Sequence, residues 1–302
     1  MNTYQYQSKN TQKTFILVMV MIALVSMLGG FLSFYTNNYI YIIIALVSAL
    51  FQSLFSYYSG ESMALASAGG QKISLEDNPQ LFNIVEDLAR TAGIPMPDVY
   101  ISPDPSANAF ACGTGPGRAS VCVNQGLLDI LNKHELAAVL AHEIGHIRNR
   151  DILIMTVTFA MTIVISSITD LALRSMMWGG RSSSDNEDKL SPFILIIFII
   201  AIIVSPIIMT LISLSISRSR EYIADATSVE LTRYPEAMIS ALEKLHASPV
   251  PTEHFSSATS HFFIAPPKKD YNQKFSDNWF STHPSVENRV KALLDQDNRL
   301  GR

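Results

Sequence analysis

Charged residues and cysteines are both scarce in this sequence. Only 16% of its 302 residues are charged, against roughly 25% in ordinary soluble domains, and the formal net charge is only -4. No tract rich in lysine or arginine is present, so nucleic-acid binding is not indicated. The 2 cysteines, Cys112 and Cys122, are too few for a disulfide framework. These shortages exclude a basic nucleic-acid-binding protein and a small domain held together by disulfides.

Apolar residues, in contrast, make up 48% of the chain and gather in long runs. Four runs are long enough, or nearly so, to cross a hydrocarbon core of roughly 30 Å: residues 14–34, 39–55, 152–173 and 193–216. The first run is longer than the apolar part of a typical signal peptide and has no clear cleavage site after it. The sequence therefore predicts a membrane protein with about four transmembrane helices.

Basic residues mark one side of this predicted membrane protein. They precede the first and third runs and follow the fourth, as the pairs Lys9 and Lys13, Arg148 and Arg150, and Arg218 and Arg220. Such residues favour the cytoplasmic side. Both termini and the segment between the second and third runs are therefore expected in the cytoplasm, where the two cysteines would be ordinary thiols.

The segments outside the membrane predict a mostly helical α+β domain. A helix begins at the capping pair Asn78-Pro79 and ends at Gly93. Three short strands follow, then a helix from about Asn132, a helix from about Arg218 and a further helix after Tyr234-Pro235. The strands are residues 98–102, 108–112 and 119–123, with a turn at 114–117.

These elements divide the chain into four parts. Residues 1–60 hold two amino-terminal spans, and 61–151 form the first part of a cytoplasmic domain. Residues 152–216 form a transmembrane hairpin, and 217–302 complete the cytoplasmic domain. The soluble parts are together large enough for one compact domain, so a domain split around the hairpin is expected.

One motif at the end of the first cytoplasmic part carries chemistry. Residues 142–146 are H-E-I-G-H. Residues four apart lie above one another on a helix, so His142 and His146 can bind one metal ion, while Glu143 can take a proton from a water molecule. This is the H-E-x-x-H pattern of zinc metallopeptidases.

A catalytic zinc ion usually has three protein ligands and keeps a fourth position for water. Glu221 can complete the site with His142 and His146, because it starts the helix that leaves the fourth run. Asp225 lies one helical turn further on and can accept the remaining N–H of a ligand histidine. Without the motif, this acidic pair would more often be a solvated helix face.

Two other families with this motif do not fit. A metzincin needs glycine and histidine three and six residues after His146, where this sequence has Asn149 and Ile152. An intramembrane site-2 protease embeds the motif in a span and needs an additional Asp-Gly motif, which is missing. The site is therefore expected beside the membrane, at its cytoplasmic surface.

Several segments together resemble the HtpX heat-shock protease family. They are residues 142–146, S-R-S-R-E-Y-I-A-D at 217–225, F-S-T-H-P at 280–284 with Arg289, and N-A-F-A at 108–111. Residues 282–285 are T-H-P-S, where the family more often shows two prolines. The resemblance implies a thermolysin-like (gluzincin) zincin domain in the bacterial inner membrane, with one Zn2+ per chain and its active site in the cytoplasm. It also implies that misfolded or damaged membrane proteins are the substrates.

The resemblance suggests further roles. His283 becomes a candidate donor to the oxyanion of the reaction. Residues 108–111 could form an exposed strand edge, at which Asn108, Ala109 and Phe110 pair with an extended substrate, or they could be an ordinary core strand. Two alternatives to an endopeptidase stay open: another H-E-x-x-H hydrolase such as an aminopeptidase, and a membrane scaffold or holdase with a structural metal site. The sequence gives no oligomeric state.

Overall fold

The computed structural model describes residues 3–163, 218–248, 264 and 284–299. The chain opens with two long helices, α1 (Thr3–Thr36) and α2 (Ile40–Ser67), joined where Asn37 takes a φ of 53°. Both are long and apolar enough to cross a membrane. Their large apolar side chains face outward, and Phe34 is 88% exposed. Exposed apolar surface of this extent is suited to contact with lipid.

The described residues cover only part of the four predicted spans. Helix α2 runs on to Ser67, past the predicted domain boundary at residue 60. The third predicted span is described as far as Ile163, as a short apolar helix that starts at Asp151. The fourth lies outside the described residues. Four spans and the division of the domain around them therefore stay predictions.

Beyond α1 and α2, the described residues form further helices, the first of which starts and ends at the predicted signals. The Asn78 side chain accepts a hydrogen bond from the Leu81 N–H at the start of one helix, and Gly93 ends that helix with a φ of 70°. Asn132 and Glu135 form a reciprocal capping box at the start of another. The helices are α3 (Pro79–Ala92), α4 (Gln125–Ile130), α5 (Lys133–Arg148), α6 (Asp151–Ile163), α7 (Arg218–Thr232), α8 (Pro235–Ala247) and α9 (Val286–Arg299).

Helices α5 and α6 are separate. The first ends at Arg148, Arg150 takes a left-handed φ of 58°, and the second begins at Asp151. The helix with the H-E-x-x-H motif was expected to lie close to the third apolar run or to continue into it. A break of two residues separates them, and Asp151, directly after this break, lies beside the site.

A four-stranded sheet completes the domain, in the order β1-β2-β4-β3. The three predicted strands are confirmed, with slightly different ends, and a two-residue strand is added at one edge. Strand β3 pairs only with β4 in the described part of the chain, and the pair is antiparallel with a bulge between Gly113 and Gly115. The strands are β1 (Gln71–Lys72), β2 (Asp98–Ser102), β3 (Ala109–Gly115) and β4 (Arg118–Asn124).

The two faces of this sheet contact different partners. Residues such as Ala111 and Val121 face a core formed with α3, α5 and α8. Phe110, Cys112 and Cys122 face a second core, formed with Leu65 of α2 and with residues of α1 and α6. Both cysteines are buried free thiols, as expected. The sheet thus lies between the soluble helices and the apolar helices and joins them into one structure.

Candidate metal centre

Three side chains from two distant segments meet in a buried cluster. His142 and His146 come from α5 and Glu221 from α7, and one ligand atom from each lies within 4.8 Å of the others. The two Nε2 atoms are 3.2 Å apart, and each lies 3.7 Å from a carboxylate oxygen of Glu221. Tetrahedral ligands at roughly 2.0–2.1 Å from a zinc ion are about 3.4 Å from one another. The three donors therefore have the spacing that a metal of this size requires.

Close packing of α5 against α7 brings Glu221 to the histidines. A Cβ atom at Gly145, within the motif, would lie 3.1 Å from the Thr227 Cβ, so the absence of a side chain permits this approach. Nearby, the hydroxyl of Ser228 donates a 2.6 Å hydrogen bond to the carbonyl of Ala138. These contacts fix the spacing of the two helices and so the geometry of the site.

Asp225 lies beside His142, where the sequence placed it. Its Oδ1 atom is 2.9 Å from the His142 Nδ1 atom, which leaves Nε2 directed at the cluster. Arg289 of α9 donates to both oxygens of the same carboxylate, at 2.9 and 2.6 Å. Burial alone would raise the pKa of Asp225, but the Arg289 guanidinium holds it below its usual range. A charged Asp225 therefore orients His142 through its Nδ1–H.

Arg289 also connects the carboxyl-terminal part of the chain to strand β3. Its Nη1 donates a 2.6 Å hydrogen bond to the carbonyl of Ile264. The N–H of Ile264 in turn donates to the Asn108 side-chain oxygen at 3.2 Å. Arg289 thus anchors its segment against an acidic group, Asp225.

His146 has its own carboxylate partner, which sequence reasoning missed. The Asp151 Oδ2 atom lies 3.2 Å from the His146 Nδ1 atom, and both side chains are buried. Asp151 is the first residue of α6, directly before an apolar run. The sequence did contain a signal. A carboxylate without a partner is costly beside a membrane segment, so Asp151 was expected to need one.

The surroundings shift the pKa values of the two histidines in opposite directions. Burial lowers the pKa of His142. It would also lower the pKa of His146, but Asp151, Glu221 and Glu143 together raise that pKa to about 9. A metal ion binding at His146 must therefore replace a proton.

Glu143 is buried between the histidines and the sheet. Burial raises the pKa of its carboxyl group to about 8, although the nearby His146 lowers it. The main chain of Ala111 also lowers this pKa, so strand β3 lies beside the group that could transfer protons. A carboxyl group with a pKa near neutrality can act as both base and acid.

The residues predicted to bind substrate lie near the start of β3. Asn108 directly precedes the outer strand β3, and Ala109 and Phe110 begin it. All three residues are buried, at 3%, 0% and 3% exposure, so the edge predicted to be exposed is not exposed in this structure. The Asn108 side-chain oxygen accepts a hydrogen bond from the Ala109 N–H. His283 lies outside the described residues.

The fold and the site together define a membrane-bound metalloprotease of the H-E-x-x-H type. The model of Peptidase family M48 matches residues 75–297, and the chain belongs to this family. It is 37% identical over 297 residues to "Protease HtpX homolog" of Tropheryma whipplei (strain Twist), covering 98% of this chain and 99% of that protein. It is 41% identical to the protein of the same description from Caldanaerobacter subterraneus subsp. tengcongensis, covering 96% of each. The predicted resemblance to HtpX is thereby confirmed.

A solved structure shows a similar fold. The crystal structure of S. mikatae Ste24p matches with a TM-score of 0.50 and 20% sequence identity. The match covers 96% of this chain and 67% of that one. The likeness therefore extends over the apolar helices as well as the domain that holds the site.

Proposed function

We propose that this protein is a zinc endopeptidase of the bacterial cytoplasmic membrane that hydrolyses misfolded or damaged membrane proteins. The convergence of His142, His146 and Glu221 beside the buried carboxyl group of Glu143 carries this proposal. Two imidazole nitrogens and one carboxylate oxygen are the donor set of many catalytic zinc sites. One zinc ion per chain is expected.

The residues of the chain divide the work of hydrolysis. A bound zinc ion would polarise the scissile carbonyl and acidify water. Glu143 accepts the proton of the attacking water and then delivers it to the leaving nitrogen. Asp225 and Asp151 hold the two histidines in the orientation that directs Nε2 at the metal. Burial of these groups strengthens their electrostatic interactions, because little water is present to screen them.

We place the substrate along the outer edge of β3, at Asn108, Ala109 and Phe110. The influence of the Ala111 main chain on the pKa of Glu143 supports this position, since it indicates that the strand lies beside the proton-transferring group. An extended peptide pairing there would be bound mainly through its main chain, so many sequences could be cleaved. His283 is proposed as a donor to the oxyanion. A His283→Ala variant that keeps the full kcat would remove it from the mechanism.

The proposed orientation places the site and both termini in the cytoplasm. The basic pairs that flank the apolar runs support it, as does the position of the site at the α5–α6 break, where the third run begins. In this arrangement residues 152–216 form a hairpin in the membrane, and 61–151 and 217–302 form one cytoplasmic domain. Substrates would reach the site at the membrane surface.

Cleavage of an internal peptide with both ends blocked tests the proposal, with the full-length protein in detergent. The wild type should cut it, whereas an aminopeptidase would need a free amino terminus. Glu143→Gln should bind zinc in the normal amount and lose cleavage by on the order of 10²- to 10⁴-fold, and Glu76→Gln, an exposed glutamate, should behave like the wild type. Full activity of Glu143→Gln, or zinc without any cleavage by the wild type, would contradict the proposal; the latter would favour a structural metal site.

The same peptide can test the strand edge. Methylating one amide nitrogen on either side of the cleaved bond removes a main-chain donor without changing charge. We expect KM to rise at the positions that pair with β3, while kcat changes less. A KM that is insensitive to methylation at every position would place the substrate elsewhere.

A further inference from the structure

The amino-terminal end of α1 contacts the carboxyl-terminal end of the helix with the metal-binding motif. The side-chain amide of Gln7 donates a 2.6 Å hydrogen bond to the carbonyl of Arg148, the last residue of α5. The amide of Asn10, one turn further along α1, donates to the carbonyl of Asn149 at 3.1 Å. The last carbonyls of a helix have no partner within the helix. Side chains of α1 therefore satisfy carbonyl groups at the α5–α6 break.

Asn10 makes a second contact that leads into the metal centre. Its Nδ2 atom also donates to the Asp151 Oδ1 atom, at 2.7 Å. The other oxygen of Asp151 lies 3.2 Å from the His146 Nδ1 atom. Asn10 and Asp151 are 3% and 0% exposed, so water does not compete for these hydrogen bonds. A continuous chain of polar contacts thus joins α1 to a metal-binding histidine.

Both N–H groups of the Asn10 side-chain amide donate hydrogen bonds. An asparagine amide has two N–H donors, and here one bonds the Asn149 carbonyl and the other the Asp151 carboxylate. Asp151 is thereby fixed from α1 relative to the chain break on which it sits. The Arg220 Nε atom lies 3.7 Å from the Asp151 Oδ1 atom, so α7 also contributes charge to the same carboxylate, at a longer distance.

We infer that Asn10 is a positioning residue of the metal centre, through which the first apolar helix sets the orientation of His146. The inference rests on the proposed metal-dependent function. A carboxylate that bonds the outer nitrogen of a metal-binding histidine fixes its ring and increases its affinity for the metal. Asn10 acts on His146 through Asp151, because it holds the carboxylate that bonds the histidine. Helix α1 is then part of the catalytic structure as well as a membrane anchor.

Zinc affinity of the full-length protein in detergent, measured by competition with a chelator, tests this inference without reference to cleavage. Asp151→Ala should weaken zinc binding by about 10- to 100-fold. Asn10→Ala should weaken it by about 3- to 10-fold, because it removes hydrogen bonds to the carboxylate and to the break. Asn10→Asp should be worse than Asn10→Ala, since it sets a carboxylate against two oxygens, and Asn10→Gln should recover part of the affinity. Thr11→Ala is the matched control, because among the described residues its exposed hydroxyl donates only to the Gln7 carbonyl, within α1.

A double-mutant cycle separates positioning from a general effect on folding. In the Asp151→Ala background, Asn10→Ala should have little further effect on zinc affinity. The absorption bands of the cobalt-substituted protein should shift in Asn10→Ala and stay unchanged in Thr11→Ala, and kcat should fall while KM is kept. Unchanged zinc affinity in Asn10→Ala, or an equal loss with and without Asp151, would overturn the inference. Both results concern zinc binding by the variants. The proposed function would therefore stand as long as the wild type cleaves the blocked peptide.

Discussion

Buried ionisable side chains surround His142 and His146, and each histidine has a carboxylate partner. Asp225 was predictable, because its spacing of four residues from Glu221 places both on one helical face. Asp151 was not, because its position depends on the left-handed conformation of Arg150, which no helical periodicity indicates. The partner of Arg289 is 64 residues away in the sequence, and spacing carries no information at that range.

The raised pKa of His146 gives a prediction on metal binding. In the metal-free protein this pKa is about 9, so the ring carries a proton at neutral pH that a metal ion must displace. Apparent zinc affinity should therefore rise by up to tenfold per pH unit from about pH 7 to 9. Chelator competition across this range measures it. Asp151→Asn, which removes the charge beside His146, should show a weaker dependence, and an affinity that is flat in the wild type would contradict the assignment.

The raised pKa of His146 also affects the stability of the metal-free protein. This stability should fall as the pH rises, whereas the zinc affinity should increase. A histidine whose pKa is raised by folding stabilises the protein below its ordinary pKa of 6.5, and this contribution is lost as pH rises through about 9. Glu143 acts in the same direction, because its pKa is raised to about 8 and ionising it in the folded state is costly. The free energy of unfolding without metal should thus fall between pH 7 and 9. Denaturant titration in excess chelator checks this, and a rise in stability over that range would be inconsistent with both shifts.

Among the secondary-structure elements, helix α5 and its contact with α7 determine the geometry of the site. The sequence predicted both helices, from the helical periodicity that begins near Asn132 and from the charged segment that begins at Arg218. It did not predict β1, whose two residues are a strand only through pairing with β2 and have no periodicity of their own. The close approach of α5 and α7 also depends on packing, which periodicity does not reveal.

Gly145 gives a prediction on this approach. A valine there would place methyl groups against Thr227, where even a Cβ atom would be at 3.1 Å. Gly145→Val should destabilise the protein by about 1–3 kcal/mol and weaken zinc binding, because Glu221 moves away from the histidines. Denaturant titration and chelator competition measure the two effects. Gly117→Val is the control, since nothing lies within 4 Å of a Cβ atom there; equal behaviour of the two variants would show that the helix contact does not set the site.

The molecule as a whole joins its apolar helices to its catalytic domain through the sheet. Phe110 and Cys112 on one face of β3 pack with Leu17 of α1 and Phe159 of α6, while Ala111 on the other face belongs to the soluble core. The sequence identified the apolar runs and the division of the site between two segments. It could not show that α1 and α2 pack against the sheet, because an apolar run does not identify its partner.

We propose that Glu221, from beyond the third and fourth apolar runs, completes a metal site begun by His142 and His146. Metal content and cleavage of purified Glu221→Ala test it most directly. The control is Glu230→Ala, which removes an exposed carboxylate from the same helix. The wild type and Glu230→Ala should bind one zinc ion per chain and cleave a blocked peptide, whereas Glu221→Ala should lose most of its zinc and its activity. Zinc retained at full stoichiometry in Glu221→Ala would remove Glu221 from the ligand set and contradict the assembly of the site from two segments.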